Sequence, residues 1–267
     1  MFKSDNVTEV LQNQIVAETS LKFVSNLFDT DSSEQLSLQI ELRPINQSFT
    51  NVPTHTQSAP APNPSDCLAP PAGCGSILVT GLSQLTDYHW QARVRDTKGA
   101  TSTWTSFGTN ASGERDFRVS GNAANISITS GNTQTGLVNT LLTSPLVVKI
   151  TDSQSQPVPG YTVSWSAIQA KNGGSTSGGN VVTDQEGFSS VNYTLGKISG
   201  TNIIRASGSG LAGSPADFEV TATPGIVSYF EVVAPSYSLV NQSLSPAVTI
   251  RAFDEYNNIK TDYAGTT

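Results

Sequence analysis

Apolar and polar side chains alternate at every second position along much of this chain. Leu36, Leu38, Ile40 and Leu42 alternate with Ser37, Gln39, Glu41 and Arg43, which predicts a half-buried strand with one face in a core. Leu146, Val148 and Ile150 repeat the pattern, and so do Val248, Ile250 and Ala252. Tyr88, Trp90, Ala92 and Val94 form a further stripe, with His89, Gln91, Arg93 and Arg95 on the opposite face. Trp165 alternates in phase with Val163 and is expected to be the core tryptophan of its sheet. Helical periodicity is weak everywhere except over residues 7–17, the one candidate helix.

Turn signals separate the strand-like runs: "DTDSSE" (29–34), "DTKG" (96–99), "DSQSQPVPG" (152–160) and "DEYNN" (254–258). Many short strands at such spacing predict an all-β chain of tandem immunoglobulin-like sandwiches. "SGNAAN" (120–125) and "TATPGIV" (221–227) are small-residue joints, and they divide the chain into blocks 1–120, 121–224 and 225–267. An internal repeat supports that division. Placing Asp152 on Asp254, 102 residues later, also places Val148 on Ile250, Ile150 on Ala252 and Tyr161 on Tyr263. The third block reaches "YAGTT" after about three strands, so an incomplete last sandwich and a longer modular parent protein are expected.

Composition narrows the chemistry. Only 13% of residues are charged, against about 25% in ordinary soluble chains. The net charge of −7 lacks the clustered Lys and Arg that phosphate binding needs, which disfavours nucleic acid as a partner. "MFKSDNVTEV" has no apolar signal-peptide core, and no apolar run approaches the ~20 residues of a membrane-spanning helix. An exported form of this chain is therefore expected to be a mature product or an interior piece. Cys67 and Cys74, in "CLAPPAGC", are too few for a structural zinc site. The flanking prolines and Gly73 can turn the chain back, so a local disulfide and an oxidising compartment are expected, with two unpaired loop thiols as the alternative.

Candidate chemistry is sparse. His55 and His89 are the only histidines, neither has a Cys or His at metal-ligand spacing, and both are expected on the surface. No G-x-S-x-G elbow marks a nucleophile. Asp29, Asp31 and Glu34 offer oxygen ligands for Ca²⁺, but they lack the remaining ligands and the Gly of an EF-hand loop, so turn formation is the simpler role. "DTKG" supplies a hairpin turn, "TSTWTSFG" returns as the next strand, and Trp104 then faces Arg93 or Arg95 in a cation–π stack. Trp104 and Tyr161 are the visible candidates for an exposed aromatic contact with a carbohydrate.

Two resemblances extend this picture. "GLSQLTDYHWQARVRDTKGATSTWTSFG" resembles the later strands of a fibronectin type III domain, with Leu82 and Tyr88 at the spacing of the family's tyrosine corner. "SLKFVSNLFDTDSSEQLSLQIEL" and the closing run 116–119 are similar to a variant of that domain in secreted prokaryotic proteins. The resemblance covers about 1–119 and departs from it in a long insert at 50–75 that carries both cysteines. "SPLVVKITDSQSQPVPGYTVSWS", "TDQEG" and "SSVNYTLGKISGTNIIRASGSG" resemble bacterial Ig-like domains of the intimin/invasin type over about 122–223. "VTIRAFDEYNNIKTDYAGT" is similar to the start of another such repeat. These resemblances imply a non-catalytic, extracellular or cell-surface segment of monomeric modules. Its role would be stalk or spacer, with adhesion to, or presentation of, a protein or glycan ligand. The alternative is an accessory, substrate-binding region of a secreted hydrolase whose catalytic domain lies elsewhere.

Overall fold

A computed structural model describes the chain except for residues 6, 32, 62–74, 109–112, 237–239, 241 and 264–267. The described residues form strands and turns with no helix, so the helix expected over 7–17 is absent. That segment instead ends in a short strand, Gln14–Val16, whose Val16 is fully buried. The contacts group into two units: Met1–Ala124 with Ile150–Tyr161 and Asp184–Gly187, and Asn125–Lys149 with Thr162–Thr183 and Phe188–Thr267.

In the first unit the strands are β1 (Phe2–Lys3), β2 (Gln14–Val16), β3 (Leu21–Ser25), β4 (Leu36–Pro44), β5 (His55–Thr56), β6 (Gly75–Val79), β7 (Thr86–Asp96), β8 (Thr105–Ser106) and β9 (Phe117–Val119). One sheet has the order β1-β3-β6; the other has the order β2-β9-β7-β4-β5, with β8 also on β7. The long β4–β7 pair runs antiparallel from Leu36↔Asp96 to Pro44↔Tyr88. Phe23 of the smaller sheet meets Trp90 of the larger edge-on, with ring centroids 4.8 Å apart, so the two sheets share one core. Leu36, Leu38, Ile40 and Leu42 are all buried in it. The anticipated return strand after "DTKG" pairs with β7 only at Thr105 and Ser106, apart from an isolated Arg95–Thr101 bridge. On the edge of β7 away from β4, its first residues, Thr86 to Tyr88, pair with β9.

The sequence predicts that the second face of β4 and β7 is solvated. In the fold Gln39, Glu41, His89 and Gln91 are buried as well. Residues 45–61 cross over this face and edge: Thr54 and Gln57 donate backbone hydrogen bonds to Ile40 and Leu38, and Ala61 exchanges two with Leu36. Period-2 alternation reports which side chains share a face, but not whether an insert later covers that face.

The strands that follow are β10 (Asn125–Ser130), β11 (Thr135–Leu137), β12 (Leu146–Thr151), β13 (Thr162–Gln169), β14 (Ser175–Thr176), β15 (Asn180–Val182), β16 (Phe188–Val191), β17 (Tyr193–Thr194), β18 (Gly200–Ser207) and β19 (Ala216–Thr223). Sheets β10-β12-β16 and β11-β19-β18-β13-β15 make a second sandwich, with a small β14–β17 pair. Trp165 on β13 donates its indole N–H to Ser189 Oγ on β16 at 3.1 Å, a bond from one sheet to the other. β20 (Tyr229–Val233) and β21 (Thr249–Phe253) then form a two-stranded antiparallel ribbon. Here the expected core stripe holds only in part. Ala252 is buried, but Ile250 is 62% exposed, whereas its repeat partner Val148 is fully buried. In β12 a facing sheet covers the stripe; among the described residues β21 pairs with β20 and bridges Ile259 at Phe253, and its sheet has two strands.

Candidate functional site

The densest polar constellation lies on the covered face of the first sandwich. Glu41 is fully buried in mid-strand on β4. Its Oε1 accepts hydrogen bonds from the Thr50 amide at 2.7 Å, the Thr50 hydroxyl at 2.9 Å and Arg43 Nε at 2.5 Å. Its Oε2 accepts from the Asn51 amide at 2.9 Å and from Gln91 Nε2 at 2.8 Å. Burial opposes the charge, but the Thr50 amide, Arg43, the Thr50 hydroxyl and Gln91 outweigh it and hold the carboxyl at about 2. The glutamate thereby fastens the crossing segment to the sheet. No motif marks it in the sequence; a lone carboxylate within an alternating strand, opposite a long insert, is the only available signal.

His89 sits beside this network and corrects the expectation of a surface histidine. It is 3% exposed, stacks on Phe49 with centroids 4.1 Å apart, and its Nε2 lies 2.8 Å from the Gln47 carbonyl. The crossing segment 45–61 is again the reason, because Phe49 closes over the ring. His55 is half-buried at the sheet edge, its Nδ1 is 2.9 Å from the Thr54 hydroxyl, and burial lowers its pKa.

Arg93 lies 4.6 Å over the Trp104 ring, as the Ala92↔Thr105 register allows, and donates Nε to Gln39 at 2.8 Å. The half-buried Trp104 thus faces a guanidinium. Tyr88 is buried, its hydroxyl accepts the Ser83 amide at 2.9 Å, and Leu82 is buried beside that corner. Trp90 stacks on Phe107 at 5.0 Å, and Trp165 packs against Phe218 at 5.6 Å. Tyr161 is half-buried rather than exposed. At the end of the first sandwich Arg115 donates to Asn13 Oδ1 at 2.7 Å, and both Arg115 and Arg118 reach Asp87 Oδ1 at 3.2 Å.

The acidic turn does not fit a divalent cation. Lys98 pairs with Glu34 and lies 3.4 Å from Asp31, so an ammonium occupies the position between these carboxylates. Asp31 Oδ1 accepts the Ser33 hydroxyl at 2.6 Å and the Ser33 amide at 3.1 Å, and Asp29 Oδ1 accepts the Asp31 amide at 3.0 Å. The Ser33 hydroxyl and amide, followed by Lys98, hold the Asp31 carboxyl at about 2. Among the described residues no group of three or more His, Cys, Asp and Glu side chains is placed to hold a metal ion. The anticipated Cys67–Cys74 bridge lies outside the described residues. No described helix is long and apolar enough to cross a membrane.

No protein-family model matches the chain, and no curated protein matches it. Among solved structures it is similar to invasin, described as a bacterial integrin-binding protein, with 13% identity and a TM-score of 0.43, over 96% of this chain and 47% of invasin's. It is also similar to the D00–D0 domain of intimin, with 12% identity and a TM-score of 0.30, over 79% of this chain and 96% of that one. A third similarity is to a β-glucuronidase of glycoside hydrolase family 2, with 13% identity and a TM-score of 0.30, over 80% of this chain and 21% of the enzyme. The chain spans about half the length of the invasin structure. At such identities and TM-scores the fold rests on the chain's own sheets and cores.

Proposed function

We propose that the chain is a non-catalytic modular segment of a secreted or cell-surface bacterial protein. In this reading it is a spacer that carries or presents a binding module, with blocks 1–120, 121–224 and 225–267 as its units. One observation carries the reading: among the described residues, the candidate side chains named above are engaged by neighbours within the fold. His89 is closed under Phe49, Arg93 lies over Trp104, Arg115 and Arg118 share Asp87, and Asp31 and Glu34 hold Lys98. The partner would be a protein or glycan at the cell surface. The test is to couple the purified chain to beads and measure capture by host cells, beside electrophoresis through gels containing soluble polysaccharides. Cell capture or inert behaviour, with no change in the polysaccharide, is expected. Polysaccharide hydrolysis by the purified chain would overturn the reading, and retardation without hydrolysis would transfer it to an accessory region of a hydrolase.

A further inference from the structure

The aspartates of the two repeated turns make the same bonds twice. Asp152 is fully buried, and its Oδ1 accepts the amides of Gln154 at 2.8 Å and Gln156 at 3.0 Å. Its Oδ2 accepts the amide of Gly121 at 3.1 Å, from 31 residues earlier. Asp254 is also fully buried, and its Oδ1 accepts the amides of Tyr256 and Asn258, each at 2.9 Å. Its Oδ2 accepts the amide of Gly225 at 2.8 Å, from 29 residues earlier, and Asn258 Nδ2 at 2.8 Å. The backbone repeats as well. The amides of Asp152 and Asp254 donate to the carbonyls of Gln156 and Asn258, and the third residue after each aspartate is left-handed, Ser155 at φ 61° and Asn257 at φ 65°. Gly121 and Gly225 lie in the joints "SGNAAN" and "TATPGIV".

We propose that Asp152 and Asp254 are joint-locking residues. One oxygen of each carboxylate shapes the turn, and the other fastens the linker that enters the sandwich bearing that turn. A buried linker amide needs an acceptor, and an ionised one makes the stronger bond. Gly121 is buried, and a Cβ there would lie 2.5 Å from Leu85 Cδ2 and 3.1 Å from Asp152 Cβ, so glycine permits the close approach. The residue two positions after each aspartate adds a contact particular to its own joint. Gln154 Oε1 accepts Arg118 Nη2 at 2.6 Å, while the Tyr256 hydroxyl accepts Asn139 Nδ2 at 2.9 Å and Lys197 Nζ lies 5.5 Å from the Tyr256 ring. The lock is constant and the second contact varies, so this turn acts as a docking module for whatever precedes it.

Amide hydrogen exchange on the intact chain tests this by NMR. In the native chain the Gly121 and Gly225 amides are expected to exchange at least tenfold more slowly than unstructured glycines, although both lie in linkers. Asp152→Asn keeps one carbonyl oxygen for the turn but turns an NH₂ toward the Gly121 N–H. Gly121 should then lose at least tenfold of its protection, while Gly225 and the strands β18 and β19 keep theirs. Asp254→Asn should do the reverse. Unprotected Gly121 and Gly225 in the native chain overturn the proposal whether or not a variant folds, as does Asp152→Asn that leaves Gly121 unchanged in a folded chain. Partner capture plays no part in this readout, so the lock and the spacer reading fail separately.

Discussion

Glu41→Gln should destabilise the first sandwich by about 3 kcal/mol. The amide is isosteric, but whichever way it turns, its NH₂ faces at least two donors, since Oε2 accepts from Asn51 and Gln91 and Oε1 from Thr50 and Arg43. Losing two charge-assisted hydrogen bonds costs about 1.5–3 kcal/mol each. The same hydrogen bonds hold the folded carboxyl at about 2 against an ordinary 4.5, which corresponds to roughly 3 kcal/mol. The assay is urea unfolding in a Trp165→Phe background, where Trp90 and Trp104 report the first sandwich. With a typical slope of about 1.5 kcal/mol/M, the midpoint should fall by about 2 M at pH 7. The sign of the pH dependence follows from the depressed carboxyl. Its contribution is complete above the ordinary value of 4.5 and is lost as pH falls toward 2, so the gap between parent and variant should close over that interval. A midpoint shift below about 0.5 M at pH 7, or a gap independent of pH, would refute the assignment of Glu41 as the fastening residue.

Tyr88→Phe removes only the hydroxyl that accepts the Ser83 amide, and urea unfolding should show a loss of about 1 kcal/mol with the strands intact. Ser155 holds φ at 61° where its repeat partner is Asn257, so Ser155→Asn should stabilise the turn by up to about 1 kcal/mol, seen as a higher melting temperature. Tyr193 is fully buried, donates its hydroxyl to Asn202 Oδ1 at 3.1 Å, and is pushed up by burial to about 12. Ultraviolet titration should therefore contain a late phenolate step that Tyr193→Phe removes. The same raised value means that this contribution to stability is full below pH 10 and falls away as pH rises toward 12.

The parts of the candidate site legible in the sequence are those set by local rules. The inward phase of Trp90 and Trp165 and the opposition of Arg93 and Trp104 follow from strand alternation and a short hairpin, and the Leu82–Tyr88 corner is what the resemblance to fibronectin type III domains implies. The burial of His89 and the ion pairing of the acidic turn were not legible for one reason. Both depend on residues far away in sequence: Phe49 covers His89, and Lys98 fills the space between Asp31 and Glu34.

The sequence alone determined the all-β class, the strand faces and the 102-residue repeat (152 to 254), because side-chain period and turn chemistry are properties of neighbouring residues. Only the tertiary structure decided which faces are covered. It buried Glu41 and Gln91 beneath the crossing segment 45–61, left Ile250 exposed where Val148 is enclosed, and gave two turn aspartates a second bond, to the Gly121 and Gly225 amides. Burial depends on what crosses a surface from a distance. The alternation within a strand carries no record of which segment crosses it.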